Sequence, residues 1–329
     1  MMRVFSLTGA VLSMVIATVT YADGLRLGMV AKSKSDPNFV EAWKACAAQA
    51  EADGNVCDLL GSDNAANAHL QRSAIESALA SGNYAALAIS VTNSAFIAPA
   101  LTQTDIPVLT FDSPFAEREQ YLSKGYVGPD NYKFGHDLAV LASASHSSGG
   151  TLCIITIEFD PNLSSRVHAV RETLADTALP QGQMLTGENG WSEHERCPRL
   201  SLADTSKSLR QLAGILSDIR PDVIISVGHW PVVDPIAYRR TVNRFTDRLV
   251  TDKTQMFVGV GRVNEQSRAL LQAGLVHGLV SIDFDGIGKA TYERLKEAAT
   301  GADIPANTLT KNRILTATSD SGEEAFGED

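Results

Sequence analysis

Polar side chains that suit a small ligand follow several of the apolar runs in this sequence. Short apolar runs alternate with amphipathic stretches, which predicts parallel strands separated by helices, and ligands of such sheets bind beyond the carboxyl ends of the strands. Twelve candidate ligand contacts follow from this rule: Asp36, Asn38, Phe39, Asn93, Asp112, Ser113, Gly228, His229, Trp230, Gly261, Arg262 and Asp283. A polar residue after a strand is more often a turn or a helix cap, so the collection carries the prediction rather than any one member.

The sequence offers no recognisable catalytic set. His229 is a candidate base without a nucleophile to activate, since general-base catalysis requires both groups in mutual reach. Gly259-Val260-Gly261 resembles a dinucleotide-binding loop, but Asn264 occupies the place of the third glycine. We therefore expect a protein that binds without catalysis, with no cofactor and no metal. A secreted hydrolase remains a separate hypothesis, which loss of turnover in His229→Ala would support.

The predicted elements amount to an α/β fold. Segment 161–175 has the helical spacing of buried residues, with Leu163, Val167, Val170 and Leu174 on one face. Nine strands are predicted, at 25–31, 56–60, 84–90, 107–112, 151–158, 183–186, 223–228, 256–261 and 278–282. Strands that are apolar on both faces belong to parallel sheets covered by helices, and this number favours two sheets with a seam near 125–131.

Composition excludes nucleic acid as the expected partner. The 329 residues carry 28 Lys and Arg against 38 Asp and Glu, for a net charge of −10. Affinity for nucleic acid comes largely from Lys and Arg that neutralise phosphates, and no run of such residues occurs.

Residues 1–22 have the plan of a secretory signal peptide. Arg3 is followed by an uncharged apolar run from Val4 to Val19, and Thr20 and Ala22 place small residues before a cut after Ala22. An uncleaved membrane anchor is the alternative, because the run is nearly long enough to span a bilayer. No cysteine follows the run, so a lipid anchor is unsupported. We expect export to the periplasm.

Export places the four cysteines in an oxidising compartment, where disulfides form. Three pairings are possible, and Cys46–Cys57 with Cys153–Cys197 is favoured because each pair stays on one side of the seam. His194 and Cys197 have metal-ligand spacing, but a second pair of ligands for zinc is missing. Segment 187–201, which contains Trp191, is interpreted as a rim of the site, a partner contact or an excursion held by the disulfide.

Several segments together resemble type I periplasmic binding proteins of the ribose-binding kind. These segments run in family order from Leu25 to Arg313: Ser35-Asp36-Pro37-Asn38-Phe39-Val40, Ile106 to Ser113, Tyr126 to Asn131 with Phe134-Gly135, Val258-Gly259, and Asp285-Gly286-Ile287-Gly288. Lactose-type repressors share this core, but a DNA-binding domain precedes it there and a signal peptide stands in that place here.

The resemblance implies two Rossmann-like lobes with parallel sheets, joined by three crossover segments and closing on a ligand. The first lobe would hold 23–128 and 284–309, and the second 129–283 and 310–329.

Carrying the family's binding positions over gives a mixed result. The positions of the two stacking aromatics fall at Asn38 and Phe39, so one of the two is kept, and the carboxylate that accepts paired sugar hydroxyls falls at Asp112. Arg166 falls on the arginine that donates to ring and hydroxyl oxygens, while Ser113 replaces the usual Arg. In the second lobe the polar positions become Gly228, Gly261 and Ile282. The neighbours available as substitutes are His229, Trp230, Arg262 and Asp283.

The missing partners argue against ribose, because a site that hydrogen-bonds each hydroxyl discriminates poorly without them. Two glycines predict a roomier pocket with Trp230 as an apolar platform, and hence a ligand larger than a pentose or with fewer hydroxyls. Arg166 and Arg262 would suit a carboxylate or phosphate, unless Arg262 pairs with Asp283 or lies in solvent. The expected function is capture of a carbohydrate or polyol for an ABC importer, and the alternative is presentation to a sensor kinase or chemoreceptor.

Overall fold

The structure, a computed structural model, describes residues 24–64, 66–158, 160–201, 204–251, 253–319 and 325–326. The predicted signal peptide and its cleavage point lie outside the described residues. In chain order the strands are β1 Arg26–Val30, β2 Val56–Leu60, β3 Ala86–Ile89, β4 Val108–Phe111, β5 Tyr126–Pro129, β6 Gly150–Thr156, β7 Trp191–Glu193, β8 Arg199–Leu200, β9 Val223–Ser226, β10 Gln255–Val260, β11 Gly278–Ile282, β12 Asn307–Thr310, β13 Asn312–Leu315 and β14 Ala325–Phe326.

The helices alternate with these strands. They are α1 Pro37–Ala52, α2 Ala68–Ser81, α3 Ser94–Ile97, α4 Asn131–Ser145, α5 Pro161–Ala175, α6 Thr205–Gly214, α7 Pro235–Val242, α8 Thr246–Leu249, α9 Glu265–Gln272 and α10 Phe284–Ala299. The helix predicted over 161–175 is confirmed as α5. Among the described residues, no helix has both the length and the apolar character to cross a bilayer.

Two separate sheets form two lobes, which confirms the α/β fold. The first sheet has the order β2-β1-β3-β4-β5-β12 with all pairs parallel. The second has the order β7-β6-β9-β10-β11-β13-β14, with β8 also paired to β6, and it is parallel except at β13 and β14. The central strands are buried on both faces, as covered parallel sheets require.

The chain passes between the two sheets three times, from β5 to α4, from β11 to α10 and from β12 to β13. The crossings lie at Asp130, Asp283 and Lys311. In the structure β5 extends through Pro129 and β12 through Thr310, each one residue beyond the boundary that the sequence suggested. Each lobe has its own buried apolar core, and Ile282 at the second crossing contacts both.

Segment 183–201 differs from the prediction of a strand over 183–186. That segment makes only an isolated bridge from Thr186 to Ser192, and the edge of the second sheet is instead β7 and β8. The side chain of Trp191 is 2% exposed within the core of the second lobe. Burial of this indole makes the segment part of the lobe rather than a rim of the cleft.

The disulfides pair Cys46 with Cys57 and Cys153 with Cys197. The first links α1 to β2, and the second links β6 to the segment between β7 and β8. Each therefore joins elements of a single lobe, which leaves the crossings between the lobes free of covalent restraint.

Candidate functional site

Two neighbouring cavities occupy the cleft between the lobes. The larger, of about 840 Å³, is lined from both lobes, with Lys32, Asp36, Asn38 and Phe39 on one side and His229, Gly261 and Arg262 on the other. The second, of about 780 Å³, is lined by Lys32, Asn93 and Ser113 of the first lobe and by Asp160 and Asn162 of the second. Lys32 and Ala66 belong to both linings, so the two cavities meet in the middle of the cleft.

Asp112 follows β4 in a left-handed conformation, with φ of 58°, which points to a constrained turn. Its Oδ2 atom accepts hydrogen bonds from Ser90 Oγ at 2.7 Å and from Ser113 Oγ at 3.3 Å. The ammonium of Lys32 lies 3.2 Å from the same oxygen and also donates to Ser113 Oγ. The carboxylate is therefore held in one orientation before any ligand arrives.

Lys32 is a site residue that sequence reasoning missed. It follows the buried run of β1 almost directly, so the rule of strand ends applies to it as well. Its amine donates to the hydroxyl of Ser113, the position at which the family resemblance implied an arginine. The positive charge expected at Ser113 is thus supplied from the end of β1, which β3 separates from β4 in the sheet.

The backbone of Asp112 is also fixed. The hydroxyl of Tyr126 donates to the Asp112 carbonyl at 3.1 Å, and Asn162 Nδ2 of the second lobe lies 3.4 Å from the same oxygen. Burial raises the pKa of Tyr126 well above its ordinary value, so its hydroxyl remains a donor. The turn at Asp112 is therefore linked to β5, the strand that leads into the first crossing.

Phe39 forms an apolar wall of the larger cavity. Its ring makes edge contacts with Phe111 at 6.0 Å and with Phe284 at 6.1 Å between centroids. Only 5% of the side chain is exposed. Two aromatic neighbours hold the ring in place, which suits it to contact a ligand face without loss of side-chain entropy.

Three of the polar candidates act as helix caps. Asp36, Asn93 and Asp283 accept hydrogen bonds from the backbone amides of Asn38, Phe96 and Gly286 respectively. Asp283 also pairs with Arg313 at 2.8 Å and does not line either cavity. The helix starts thus account for these oxygens, and Asp283 belongs to the second crossing rather than to the cavity wall.

Arg166 lies beneath the cleft rather than in it. Its Nε donates to Asn131 Oδ1 at 2.8 Å, its Nη1 donates to the Val227 carbonyl at 3.0 Å, and its guanidinium lies 4.0 Å from the Phe134 ring centroid. Burial lowers its pKa to about 10, and nearby Asp160 and Asp112 oppose that shift. The arginine therefore joins β9 to the first crossing, and a clamp with Arg262 is not formed.

The predicted extra room at the two glycines is wrong. A Cβ on Gly228 would lie 2.5 Å from the Trp230 indole, and a Cβ on Gly261 would lie 2.6 Å from the amide of Asn38. Trp230 is 8% exposed within the second core and lines neither cavity, so the proposed platform is absent. Neighbouring side chains fill the space that the glycines leave.

His229 and Arg262 are the charged or titratable side chains that the second lobe contributes to the larger cavity, beside the helix-capping Asn264. His229 is exposed to the cleft, and neighbouring protein atoms partly remove water from its ring. This desolvation lowers the pKa of His229; the charge of Asp36 opposes the shift and that of Arg166 adds to it. Arg262 Nε lies 3.3 Å from Glu41 Oε2 of the first lobe. Glu41 is therefore a partner of Arg262 that the sequence analysis, which considered Asp283 and solvent, did not expect.

The described part of the cleft offers binding groups of both signs. Lys32 and Asp112 place a cation and a carboxylate side by side, Asn38 adds an amide and Phe39 an apolar face. No group of three or more His, Cys, Asp or Glu side chains in the described residues is arranged to hold a metal ion. This chemistry suits a small polar ligand that both donates and accepts hydrogen bonds.

The periplasmic binding protein domain family matches residues 27–303. No curated protein matches the chain by sequence. Solved structures with the same fold include GanP, a glucose-galactose binding protein from Geobacillus stearothermophilus, with 18% identity, a TM-score of 0.73, and coverage of 90% of this chain and 98% of that one.

Two further structures contain a bound sugar. A solute-binding protein of an ABC transporter from Agrobacterium vitis, bound with α-D-tagatopyranose, has 15% identity and a TM-score of 0.73, covering 92% of this chain and all of that one. One from Burkholderia graminis, in complex with D-arabinose, has 16% identity and a TM-score of 0.73, covering 93% of this chain and 100% of that one. Identities this low show the fold alone. Because the family match spans most of the chain, this protein belongs to the periplasmic binding protein family.

Proposed function

We propose that this protein is exported to the periplasm and captures a neutral sugar or polyol in the cleft between its lobes, for delivery to an ABC importer. The observation that carries the proposal is the Lys32–Asp112 pair, in which Lys32 lines both lobe-spanning cavities and Asp112 lies directly behind it. The protein binds its ligand without transforming it. The signal peptide is removed after Ala22.

Adjacent hydroxyl groups match this pair chemically. Each hydroxyl donates one hydrogen bond and accepts others, so one hydroxyl donates to the Asp112 carboxylate while its neighbour accepts from the Lys32 ammonium. Hydrogen bonds to charged groups are about twice as strong as those between neutral groups. A neutral ligand also leaves the pair's charges balanced within a cleft that is partly shielded from water.

The larger cavity complements this polar end with the face of Phe39. Sugars and polyols present C–H groups between their hydroxyls, and such surfaces pack on aromatic rings. The structures with the same fold include one of a glucose-galactose binding protein and others with bound tagatopyranose and arabinose, which supports a sugar for this chain.

Closure of the lobes around the ligand is the signal for a membrane permease. The three crossings carry no disulfide, and residues of both lobes line each cavity. A ligand that contacts both lobes stabilises the closed form by its differential affinity for that form. The alternative role is presentation of the closed form to a sensor kinase or chemoreceptor, and one solved structure with the same fold is of a complex, XylFII-LytSN.

A ligand panel tests the proposal. The chain from Asp23 onward is unfolded and refolded to remove carried ligand, and D-glucose, D-galactose, D-arabinose, D-allose, D-tagatose and ribitol are added in excess, with D-galacturonate as an anionic comparison. A ligand at about 100 times its dissociation constant stabilises the fold by about 2.7 kcal/mol. We expect thermal stabilisation by a neutral member and confirmation by calorimetry. A response to galacturonate alone would contradict the proposal.

A further inference from the structure

The start of α1 in the first lobe meets the loop after β10 in the second. Asn38 and Glu41 lie three residues apart and therefore on one face of α1. Across the cleft, Gly261 lies against the Asn38 amide and Arg262 pairs with Glu41 at 3.3 Å. Two consecutive residues of one lobe thus contact two residues of one helix face in the other.

The Asn38 amide occupies the volume of a side chain at position 261. The three atoms nearest to a Cβ built on Gly261 are Nδ2, Oδ1 and Cγ of Asn38, at 2.6, 2.7 and 2.8 Å. Only a residue without a side chain leaves this space to a group from the opposite lobe. The polar side chain that the family resemblance implies at position 261 is absent, and the Asn38 amide of the first lobe occupies its place when the lobes meet.

The Oδ1 atom of Asn38 is buried and finds no hydrogen-bond donor among the described residues. A buried carbonyl oxygen without a donor is unfavourable, and a ligand that supplies an O–H or N–H group at this point would satisfy it. Asn38 and Gly261 both line the larger cavity, so the contact between them forms part of the wall against which a ligand packs.

We propose that Asn38 and Gly261 form a specificity-determining pair, in which Gly261 admits Asn38 across the cleft and Asn38 Oδ1 accepts a hydrogen bond from a ligand hydroxyl. This inference rests on the proposed function for the identity of the ligand, but the contact between the lobes does not. The pair makes recognition depend on closure, because the acceptor takes its position against Gly261 only when the lobes meet.

A crosslink tests the contact without any ligand. In the double variant Asn38→Cys with Gly261→Cys, the proximity of the Gly261 Cβ position to Asn38 Cγ is compatible with a disulfide across the cleft. We expect mild oxidation to form it, seen as loss of free thiols by mass spectrometry. Asn93→Cys with Gly261→Cys is the matched control, since Asn93 lines the other cavity, and we expect its thiols to stay free.

A double-mutant cycle tests the recognition, with D-galactose and D-arabinose as probes in calorimetry. Asn38→Ala removes the acceptor and Gly261→Ala displaces it, so each weakens binding by about tenfold, which corresponds to about 1.4 kcal/mol. The double variant is expected to bind no more weakly than either single variant, because both changes remove the same interaction.

The outcomes separate this inference from the proposed function. Free thiols in the crosslink variant, or losses that add up in the double variant, would overturn the pairing of Asn38 with Gly261. The crosslink could instead form in a protein that binds neither sugar and no other member of the panel. That result would overturn the sugar proposal and the role of Asn38 as an acceptor for a ligand hydroxyl, and would leave the contact between the lobes standing.

Discussion

The two walls of the cleft present polar groups in opposite ways. On the first lobe, the Asp112 carboxylate and the Lys32 ammonium stand at the cleft surface and are held there by Ser90 and Ser113. On the second lobe, Arg166 is turned inward to Asn131 and Val227, and Trp230 covers Gly228. The first wall is therefore preorganised for polar recognition, while the second supplies packing, His229 and the contact point for Asn38.

This difference indicates an order of events. For the proposed function, we infer that a ligand first meets the Lys32–Asp112 pair, whose side chains are 26% and 13% exposed, and that the second lobe then closes over it. Polar groups that are fixed in advance lose little entropy on binding, which favours the first wall as the initial contact.

Arg166→Met gives the largest expected effect and tests whether this arginine is structural. The change leaves the Val227 carbonyl and Asn131 without their buried donors and removes the contact with the Phe134 ring, so the free energy of unfolding falls by about 4 kcal/mol. Urea unfolding measures it. Arg262→Met, which breaks an exposed pair, serves as the control and costs under about 1 kcal/mol. Unchanged stability with lost sugar binding would make Arg166 a ligand contact.

Asp112→Asn tests whether the polar groups of the first wall bind the ligand. The amide keeps the shape but loses the charge that faces Lys32, and we expect sugar affinity to fall about 100-fold, or about 2.7 kcal/mol. Isothermal titration calorimetry with the sugar that the panel identifies measures the change. Asp58→Asn, which removes a first-lobe carboxylate paired with Arg26, is the matched control and leaves the affinity unchanged. Equal affinity of the Asp112→Asn and Asp58→Asn variants would show that the Asp112 carboxylate does not contribute to binding and would contradict the difference between the two walls.

Gly228→Ala tests whether the second wall is already filled. The added methyl would meet the Trp230 indole at 2.5 to 2.8 Å, so the free energy of unfolding falls by about 2 kcal/mol. Gly214→Ala is the matched control, because a Cβ there meets nothing within 4 Å and the residue ends α6 in helical conformation. That control raises stability by about 0.5 to 1 kcal/mol. An unchanged free energy of unfolding in Gly228→Ala would show that there is free space at this position, as the sequence predicted.

His229→Gln tests the second wall through the pH dependence of the unfolding free energy and has the smallest expected effect. The folded-state pKa of His229 lies below its ordinary value of 6.5, so the unfolded chain takes up the proton first as pH falls. The stabilisation contributed by the neutral ring is present above about pH 6.5 and is lost below it. We expect the difference in unfolding free energy between wild type and variant to shrink from pH 7.5 to 5.5. A constant difference would show an unshifted histidine.

Asp112 stands out from sequence because a carboxylate after a buried strand lies at the ligand edge of a parallel sheet, but its partner Lys32 comes from the neighbourhood of another strand. The strand predicted at 183–186 fails because a short apolar run cannot be distinguished from a turn, and the true edge strand begins at Trp191, whose burial depends on the rest of the lobe.

The sequence by itself determined the alternation of strands and helices, the family of the chain and the residues at the strand ends, since these follow from periodicity and local order. The tertiary structure alone decided how those residues are used. It turned Arg166 inward, placed Trp230 over Gly228, set Asn38 of one lobe into the space at Gly261 of the other, and paired Arg262 with Glu41. The contacts of Arg166 and Trp230 depend on packing within the second lobe, and those of Asn38 and Arg262 depend on how the two lobes meet. No local sequence pattern encodes either.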